Sequence, residues 1–290
     1  MTNILVTGSN GQLGNEIRML QTVFPGYHFY FTDIAELDIT NRQAIFEFVS
    51  DKNIHCIINA AAYTAVDKAE SEPQKADLIN GIATGNLAEV AKSLDALLVH
   101  ISTDYVFSGT SHRPIREDDL TAPVSAYARS KWLGEQKISE TGGRSVIIRT
   151  SWLYSEFGVN FVKSMIKYGR EREVLNVVFD QIGTPTYAAD LARIILELIP
   201  QWLTLSSPEV FHYSNEGVTS WYDFTLAIHE LAGIRCRVNP IETKDYPLPA
   251  TRPFYSVLNK EKIKKKYGVK IPHWRESLKI CLSKIENSTR

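Results

Sequence analysis

Asn3-Ile4-Leu5-Val6-Thr7-Gly8-Ser9-Asn10-Gly11-Gln12-Leu13-Gly14 is the stretch that decides the fold class. A short apolar run, Asn3 to Thr7, leads into a glycine turn, and Ile17, Leu20 and Phe24 then recur at helical spacing. Strand, turn and helix in that order put the first helical amides, including those near Asn10, Gln12 and Leu13, where they can hold a pyrophosphate. Gly8 permits the tight turn, Gly11 the close approach of phosphate, and Gly14 the close packing of helix on strand. The spacing is Gly-x-x-Gly-x-x-Gly, not the Gly-x-Gly-x-x-Gly of the general dinucleotide fingerprint. A plain glycine-rich turn is the alternative reading, and it needs none of the flanking strand, helix and acidic residue that this chain supplies.

That acidic residue is Asp33, which closes Tyr27-His28-Phe29-Tyr30-Phe31-Thr32-Asp33, 19 positions past Gly14. A carboxylate there accepts hydrogen bonds from a free ribose 2′-hydroxyl and repels a 2′-phosphate, so it favours NAD over NADP. Arg18 and Arg42, the nearest cations in the sequence, are not adjacent to it. As a bland alternative, Asp33 is a turn residue.

The strand-helix rhythm continues. Thr40 to Gln43 predicts a capping box opening a helix through Ile45, Phe46 and Val49. Cys56 to Ala62 is a continuous apolar run, as expected of a central strand covered on both faces. The small side chains of Ala60, Ala61 and Ala62 suit either close helix packing or a floor beneath the nicotinamide half of a cofactor. A long helical stretch around Ala76 to Leu94 precedes a buried strand, Leu97 to Ile101, whose carboxyl end carries Ser102, Thr103 and Asp104. Open parallel sheets bind their ligands at such ends. Ser145 to Ser151 predicts a further strand ending beside Trp152. The fold class expected is α/β, a Rossmann-type doubly wound parallel sheet with right-handed crossovers. A dinucleotide-binding domain is expected over 1–150 and a mainly substrate-binding lobe over 151–290, with an amphipathic segment at 187–199 packing back on the sheet.

Tyr127-Ala128-Arg129-Ser130-Lys131 carries the chemistry. On a helix the two ends of this segment share a face, so the Lys131 ammonium is expected near the Tyr127 oxygen, lowering the phenol's pKa. A phenol tuned in this way gives or takes a proton, and Thr103 adds a hydroxyl. A chance Tyr-x-x-x-Lys on a helical surface is the alternative, and only its context decides.

Composition narrows the class further. The chain has 290 residues, 44% of them hydrophobic, and a formal charge of −1, which gives no bulk attraction for nucleic acid or an anionic membrane. No apolar stretch approaches a membrane span and Met1 runs almost directly into a strand, so a cytoplasmic protein is expected. Cys56, Cys236 and Cys281 are scattered, and the 7 histidines show no metal-ligand spacing, so no metal is expected for the chemistry and the histidines read as packing or surface residues. Lys260 to Lys266 reads as a solvated helix face.

Thr7 to Gly14, Asn59 to Glu70, Ser102 to Phe107, Tyr127 with Lys131, and Arg149 to Tyr154 together resemble the extended short-chain dehydrogenase/reductases. More narrowly, with Asp180 to Thr186 and Arg252-Pro253, they resemble the dTDP-4-dehydrorhamnose reductase family. The resemblance implies reduction of a dTDP-linked 4-keto sugar by NADPH or NADH. By matching positions it implies that Gly11, Gln12 and Leu13 line the pyrophosphate, that Asp33, Asp38 and Ile39 border the adenosine, and that Ala62, Tyr63 and Thr64 follow the cofactor. It implies Thr103, Tyr127 and Lys131 as the catalytic trio and Trp152 as a sugar-nucleotide contact; Asp104 and Arg252 are further substrate-binding candidates. Ser108 departs from the acidic residue relatives often carry. Some relatives dimerise through a magnesium site of surface carboxylates, so a homodimer and magnesium belong among the expectations. Two rivals are a nucleotide-sugar epimerase or dehydratase of the same family and a cofactor-binding regulatory subunit like that of methionine adenosyltransferase.

Overall fold

The computed structural model describes residues 1–289. Asn3 to Thr7 lies within the first strand, β1 (Thr2–Thr7). Ile4 and Val6 point to one face of the sheet and Leu5 to the other, and all three are fully buried, so β1 is covered on both sides. The strands β2 (Tyr27–Thr32), β3 (Cys56–Asn59), β4 (Leu97–Thr103) and β5 (Ser145–Thr150) follow. Short strands β6 (Leu153–Tyr154), β7 (Val174–Val178), β8 (Ile182–Gly183) and β9 (Thr186–Tyr187) lead to β10 (Glu209–His212), with β11 (Thr219–Ser220) and β12 (Arg237–Ile241) beyond. The main sheet is six-stranded in the order β10-β5-β4-β3-β1-β2, and every pairing in it is parallel. The chain steps outward from β1 to β2 and then returns to β3 on the other side. Thr7 and Asn59 therefore end neighbouring strands at the point where the strand order reverses, the crevice in which such sheets bind ligands.

The helices are α1 (Gln12–Met19), α2 (Arg42–Asp51), α3 (Val66–Ala69), α4 (Pro73–Ala76), α5 (Ala83–Ser93), α6 (Ala126–Thr141), α7 (Phe161–Glu171), α8 (Ala188–Trp202), α9 (Trp221–Leu231), α10 (Glu261–Tyr267) and α11 (Trp274–Thr289). Ile45, Val49, Leu87, Val90 and Ile138 from α2, α5 and α6 cover one face of the sheet with Leu5, Ile57 and Leu98. Leu13 and Ile17 of α1, with Leu191, Ile195 and Trp202 of α8, cover the other with Ile4, Ile58 and Val99. Thus α8, from the later half of the chain, lies on the sheet. A separate core of Tyr154, Val162, Tyr187, Phe224, Ile228 and Leu278 holds α7, α9 and α11 together.

Three local expectations change. The cap of α2 is Asn41, whose side chain accepts from Ala44 N at 3.1 Å; the Thr40 hydroxyl instead donates to Asp38 Oδ1 at 2.8 Å, because Asp38 is the nearer acceptor. The long stretch around Ala76 to Leu94 is not one α-helix: a π turn over Asp77–Ile82 separates α4 from α5. Gly134 explains the local closeness, since a Cβ there would fall 2.4 Å from Asn80 O. Finally, Lys260 is buried beside Glu216 at 3.4 Å, whereas Lys264 and Lys265 form the exposed ion pairs expected of a solvated face.

Candidate active site

The glycine turn is built by steric exclusion. A Cβ on Gly8, which has φ +65°, would fall 2.6 Å from Ala61 Cα, and one on Gly14 would fall 2.5 Å from Ser9 Cα. Gly11 is different: a Cβ there would meet only Gly8 O, at 3.2 Å, so its outer side stays open for a ligand. Gly11 is also the N-cap of α1, which has no side-chain cap and no acidic residue in its first turn. Its leading amides are thus left free for an anion. Leu13 is buried in the core, and the Gln12 amide is engaged with Asn160 Nδ2 at 3.0 Å, so both residues offer the turn their backbone rather than their side chains. This cradle fits a dinucleotide pyrophosphate.

Asp33 stands at the end of β2, where its Oδ2 accepts from Asn10 N at 3.2 Å and its Oδ1 from Ile34 N at 2.9 Å. It faces the glycine turn, as a ribose-binding carboxylate does. The structure adds a cation that sequence distance hid: Arg18 reaches back along α1, its guanidinium 4.2 Å from the Phe31 ring centroid and 3.3 Å from Ser9 Oγ. Asp38 is occupied in bracing Thr40, and Ile39 is buried in the core with its carbonyl accepting from Asn86 Nδ2 at 3.3 Å.

Ala60, Ala61 and Ala62 run out of β3 directly beside the glycine turn, Ala60 N donating to Thr7 O at 3.2 Å. Tyr63 is held by buried Asn80, which accepts from its N–H at 2.8 Å and donates to its carbonyl at 3.1 Å; Thr64 beyond it is exposed. Asn80 Nδ2 also reaches Ser130 Oγ on α6, at 2.9 Å. One amide in the π turn therefore couples the cofactor-side loop to the helix that carries Tyr127 and Lys131.

Thr103 ends β4, and its hydroxyl lies 3.1 Å from Asp104 Oδ1 and accepts from Tyr105 N at 3.2 Å. Ser125 caps α6 by accepting from Ala128 N, and Glu70 accepts from Ala126 N at 2.8 Å, which fixes the start of the helix. Tyr127 lies in the first turn of α6, edge-on to Tyr105 with ring centroids 5.9 Å apart. Burial pushes the Tyr127 phenol up to about 12, while a hydrogen bond with Thr103 draws it down. Burial likewise pushes the Asp104 carboxyl up to about 7, opposed by the neighbouring hydroxyls of Ser256 and Thr103. The structure brings Thr103, Asp104 and Tyr127 together at the carboxyl end of β4.

Lys131 does not meet the expectation of an ammonium whose main effect is to lower the phenol's pKa. Its Nζ donates to Ile101 O at 2.6 Å and lies 3.3 Å from His100 Nε2, both on β4. Burial pushes Lys131 down to about 8, opposed by the charge of Glu135. An ammonium tied to β4 by its own acceptors is a weak acidifier of its neighbour, in keeping with the raised Tyr127.

Trp152 has φ +48°, an unusual backbone for a bulky residue. The twist follows directly after β5 and stacks its ring on Trp221, centroids 3.5 Å apart and 10° between planes. Gly183 is tight against the indole edge, since a Cβ there would fall 2.6 Å from Trp152 Cε2. Arg252, a substrate-binding candidate, binds Asp67 through both terminal nitrogens. Ser108 is on the surface, paired with Thr110 Oγ1 at 2.9 Å.

Sequence reasoning missed His100, Asn59, Asn80 and Trp221 as parts of this site. A histidine inside the otherwise apolar Leu97 to Ile101 was a signal available for the first of these. Trp221 is 69 positions from Trp152, and no spacing rule links them. Among the described residues no group of three or more His, Cys, Asp or Glu side chains is placed to hold a metal ion.

An open parallel sheet with a glycine turn after its first strand and Thr103, Tyr127 and Lys131 at the fourth strand's end defines an extended short-chain dehydrogenase/reductase. The chain belongs, within that class, to the dTDP-4-dehydrorhamnose reductase family: the family model described as RmlD substrate binding domain matches residues 1–287. It is similar to the dTDP-4-dehydrorhamnose reductase of Aggregatibacter actinomycetemcomitans, 37% identical with 96% of this chain and 98% of that one covered. Among solved structures, a dTDP-4-dehydrorhamnose reductase from Clostridium acetobutylicum superposes with TM-score 0.94 at 42% identity, covering 98% of this chain and all of that one. One from Bacillus anthracis, in complex with NADP, gives 0.93 at 38% identity with coverages of 98% and 100%. No helix among the described residues is long and apolar enough to cross a membrane.

Proposed function

We propose that this protein reduces dTDP-4-dehydrorhamnose to dTDP-L-rhamnose, with a reduced nicotinamide dinucleotide as cofactor. The observation that carries the reading is the meeting of Thr103 and Tyr127 at the end of β4, beside a glycine cradle that leaves the α1 amides free. When bound, the reduced nicotinamide supplies hydride to carbon 4 of the sugar. Tyr127 gives its phenolic proton to the oxygen on which charge grows, and Thr103 donates a hydrogen bond to that oxygen. A phenol at about 12 stays protonated until the carbonyl oxygen becomes the stronger base, so it serves as an acid and not as a standing anion. Lys131, anchored to β4, presents its remaining N–H to the nicotinamide ribose. Gly8 to Gly14, with Asn10, Gln12 and Leu13, hold the pyrophosphate; Asp33, Asp38 and Ile39 border the adenosine; Ala60 to Thr64 flank the nicotinamide side. Asp104, Trp152 and Arg252 serve the sugar nucleotide.

The site carries Asp33 and Arg18 together, so it accepts both NADPH and NADH. The relative solved with NADP supports the phosphate-bearing form. A cytoplasmic setting and a homodimer accord with this biosynthetic role. The deciding assay mixes the protein with the 4-keto sugar nucleotide and NADPH, follows nicotinamide absorbance and identifies the sugar. Cofactor oxidation matched by dTDP-L-rhamnose formation is expected; a bound cofactor with no turnover, or release of an epimerised or dehydrated sugar, would overturn the assignment.

A further inference from the structure

His100 is completely buried in the middle of β4, an unusual place for an imidazole. Its Nε2 lies 3.3 Å from Lys131 Nζ and its Nδ1 3.0 Å from the side-chain amide of Asn59. Asn59 in turn meets the Thr7 hydroxyl at 2.8 Å and the Thr84 hydroxyl at 3.4 Å, and all three are buried. The donors and acceptors of this group fix one another. A neutral imidazole has one N–H and one bare nitrogen, so it cannot accept at both ends. If Lys131 is an ammonium, Nε2 must accept from it, and Nδ1–H must donate to the Asn59 amide oxygen. A half-turn of that amide gives this arrangement, with the amide nitrogen donating to Thr7 Oγ1 and Thr84 Oγ1 donating to the oxygen. Every polar atom is then used. The opposite tautomer puts Nε2–H against Lys131 and demands a neutral amine.

We propose that His100 is a positioning residue for Lys131: its Nε2 accepts a hydrogen bond from the ammonium and so fixes both the place and the charge of that side chain. An ammonium has three N–H groups. Ile101 O takes one and His100 the second, which leaves one for the reaction. The histidine itself does not become charged, since burial and the adjacent Lys131 ammonium hold it well below the usual imidazole range. The other charged group that faces Lys131 is Glu135 on its own helix. That carboxylate is already bound to Arg149, Nη2 to Oε2 at 2.7 Å, and accepts from Ser102 Oγ. Tyr127, one turn earlier on α6, is uncharged at neutral pH. His100 is thus the neutral acceptor from the sheet side, and the lysine's titration should report its presence.

The inference rests on the reductase reading for its catalytic meaning, but its test does not need turnover. The ¹³Cε resonance of Lys131 is followed against pH in protein labelled at lysine and free of cofactor, with Lys131→Met identifying the signal. His100→Gln sets an amide oxygen where Nε2 stands. His100→Asn keeps a polar side chain that reaches Asn59 but falls short of Lys131. The expected result is a Lys131 midpoint at least about half a pH unit lower in His100→Asn, with His100→Gln close to the wild type. In the same pair, the alkaline limb of kcat against pH should move down for His100→Asn alone. Equal midpoints in all three proteins, or equal shifts in both variants, would overturn the proposal, because a purely packing histidine changes melting temperature without moving the lysine's titration. Failure of the reductase assay with a normal variant contrast in the NMR titration would fault the proposed reaction and leave the role of His100 intact.

Discussion

Arg252 and Asp67 form a two-pronged ion pair, Nη1 to Oδ1 at 2.5 Å and Nη2 to Oδ2 at 2.7 Å, across 185 positions of sequence. The guanidinium draws the Asp67 carboxyl below its ordinary value. Tyr105 feels the charges of Asp104, Arg252 and Asp67, so this fork lies within electrostatic reach of the ring against which Tyr127 packs.

The pair holds Arg252 in one orientation, and a diphosphate would engage the N–H groups that Asp67 and Ala250 leave, at Nε and Nη2. Arg252→Ala is expected to raise the dissociation constant for the sugar nucleotide by about ten- to a hundredfold, roughly 1.4 to 2.8 kcal/mol, with the dinucleotide constant nearly unchanged. Arg252→Lys should recover only part of the loss. Equal weakening of both ligands by calorimetric titration would show that the pair is a structural clasp.

In the proposed site Asp33 and Arg18 would make opposite demands on the adenosine ribose. The carboxylate suits a free 2′-hydroxyl and the guanidinium suits a 2′-phosphate. Asp33→Ala should therefore shift preference toward NADPH, and Arg18→Ala toward NADH, each by several-fold in the ratio of dissociation constants measured by nicotinamide fluorescence. If Arg18→Ala leaves that ratio untouched, Arg18 serves only Phe31 and Ser9.

Glu16 on α1 is buried against Ser155, whose hydroxyl donates to Oε1 at 2.6 Å, and faces Glu156. Burial, then the neighbouring Glu156, pushes Glu16 up to about 8. The folded protein holds this proton more tightly than the unfolded chain does. Its contribution to stability is therefore full below about 4.5 and lost as pH rises through about 8, a change on the order of a few kcal/mol. Lys131 acts in the opposite sense, since its depressed value makes the folded state more favourable as pH climbs through about 8. Glu16→Gln removes only the first contribution. Urea unfolding of the two proteins at pH 6 and 9 should give a stability difference that changes in favour of the variant at the higher pH. A constant difference would show that Glu16 is ionised throughout.

How much of this was legible in the sequence depends on the range of each interaction. The Gly8 to Gly14 turn, its flanking strand and helix, and the alternation of Ile4, Leu5 and Val6 are local patterns, and each appears where periodicity places it. The cap of α2 slipped by one residue because Asp38 competes for the Thr40 hydroxyl, a choice between neighbours that spacing cannot rank. The direction of Lys131 was not legible at all. Helical geometry puts it on the face of Tyr127, but the acceptors that claim its protons, Ile101 O and His100, belong to a strand about 30 residues away. Trp221 beneath Trp152 and Asp67 beneath Arg252 are contacts of the same kind, created only when distant segments close on the site.

Tyr127→Phe is the sharpest test of the chemistry. The substitution keeps the ring, its edge contact with Tyr105 and the helix, and deletes only the oxygen, so folding and dinucleotide binding should survive. Loss of a positioned general acid removes a factor of about 10² to 10⁴ from turnover, roughly 3 to 5.5 kcal/mol of transition-state stabilisation. Thr103→Val, which deletes a hydroxyl at nearly constant volume, should also lower turnover while leaving the dinucleotide constant in place. It should in addition raise the phenol's pKa further, because the Thr103 hydrogen bond is what draws it down. Lys131→Met should differ from both by weakening the dinucleotide as well as turnover, since its free N–H is assigned to the ribose. Stopped-flow reduction of the 4-keto sugar at saturating NADPH measures the chemical step apart from binding. A folded Tyr127→Phe protein that turns over within a few-fold of the wild type would falsify the proton-donor role of Tyr127.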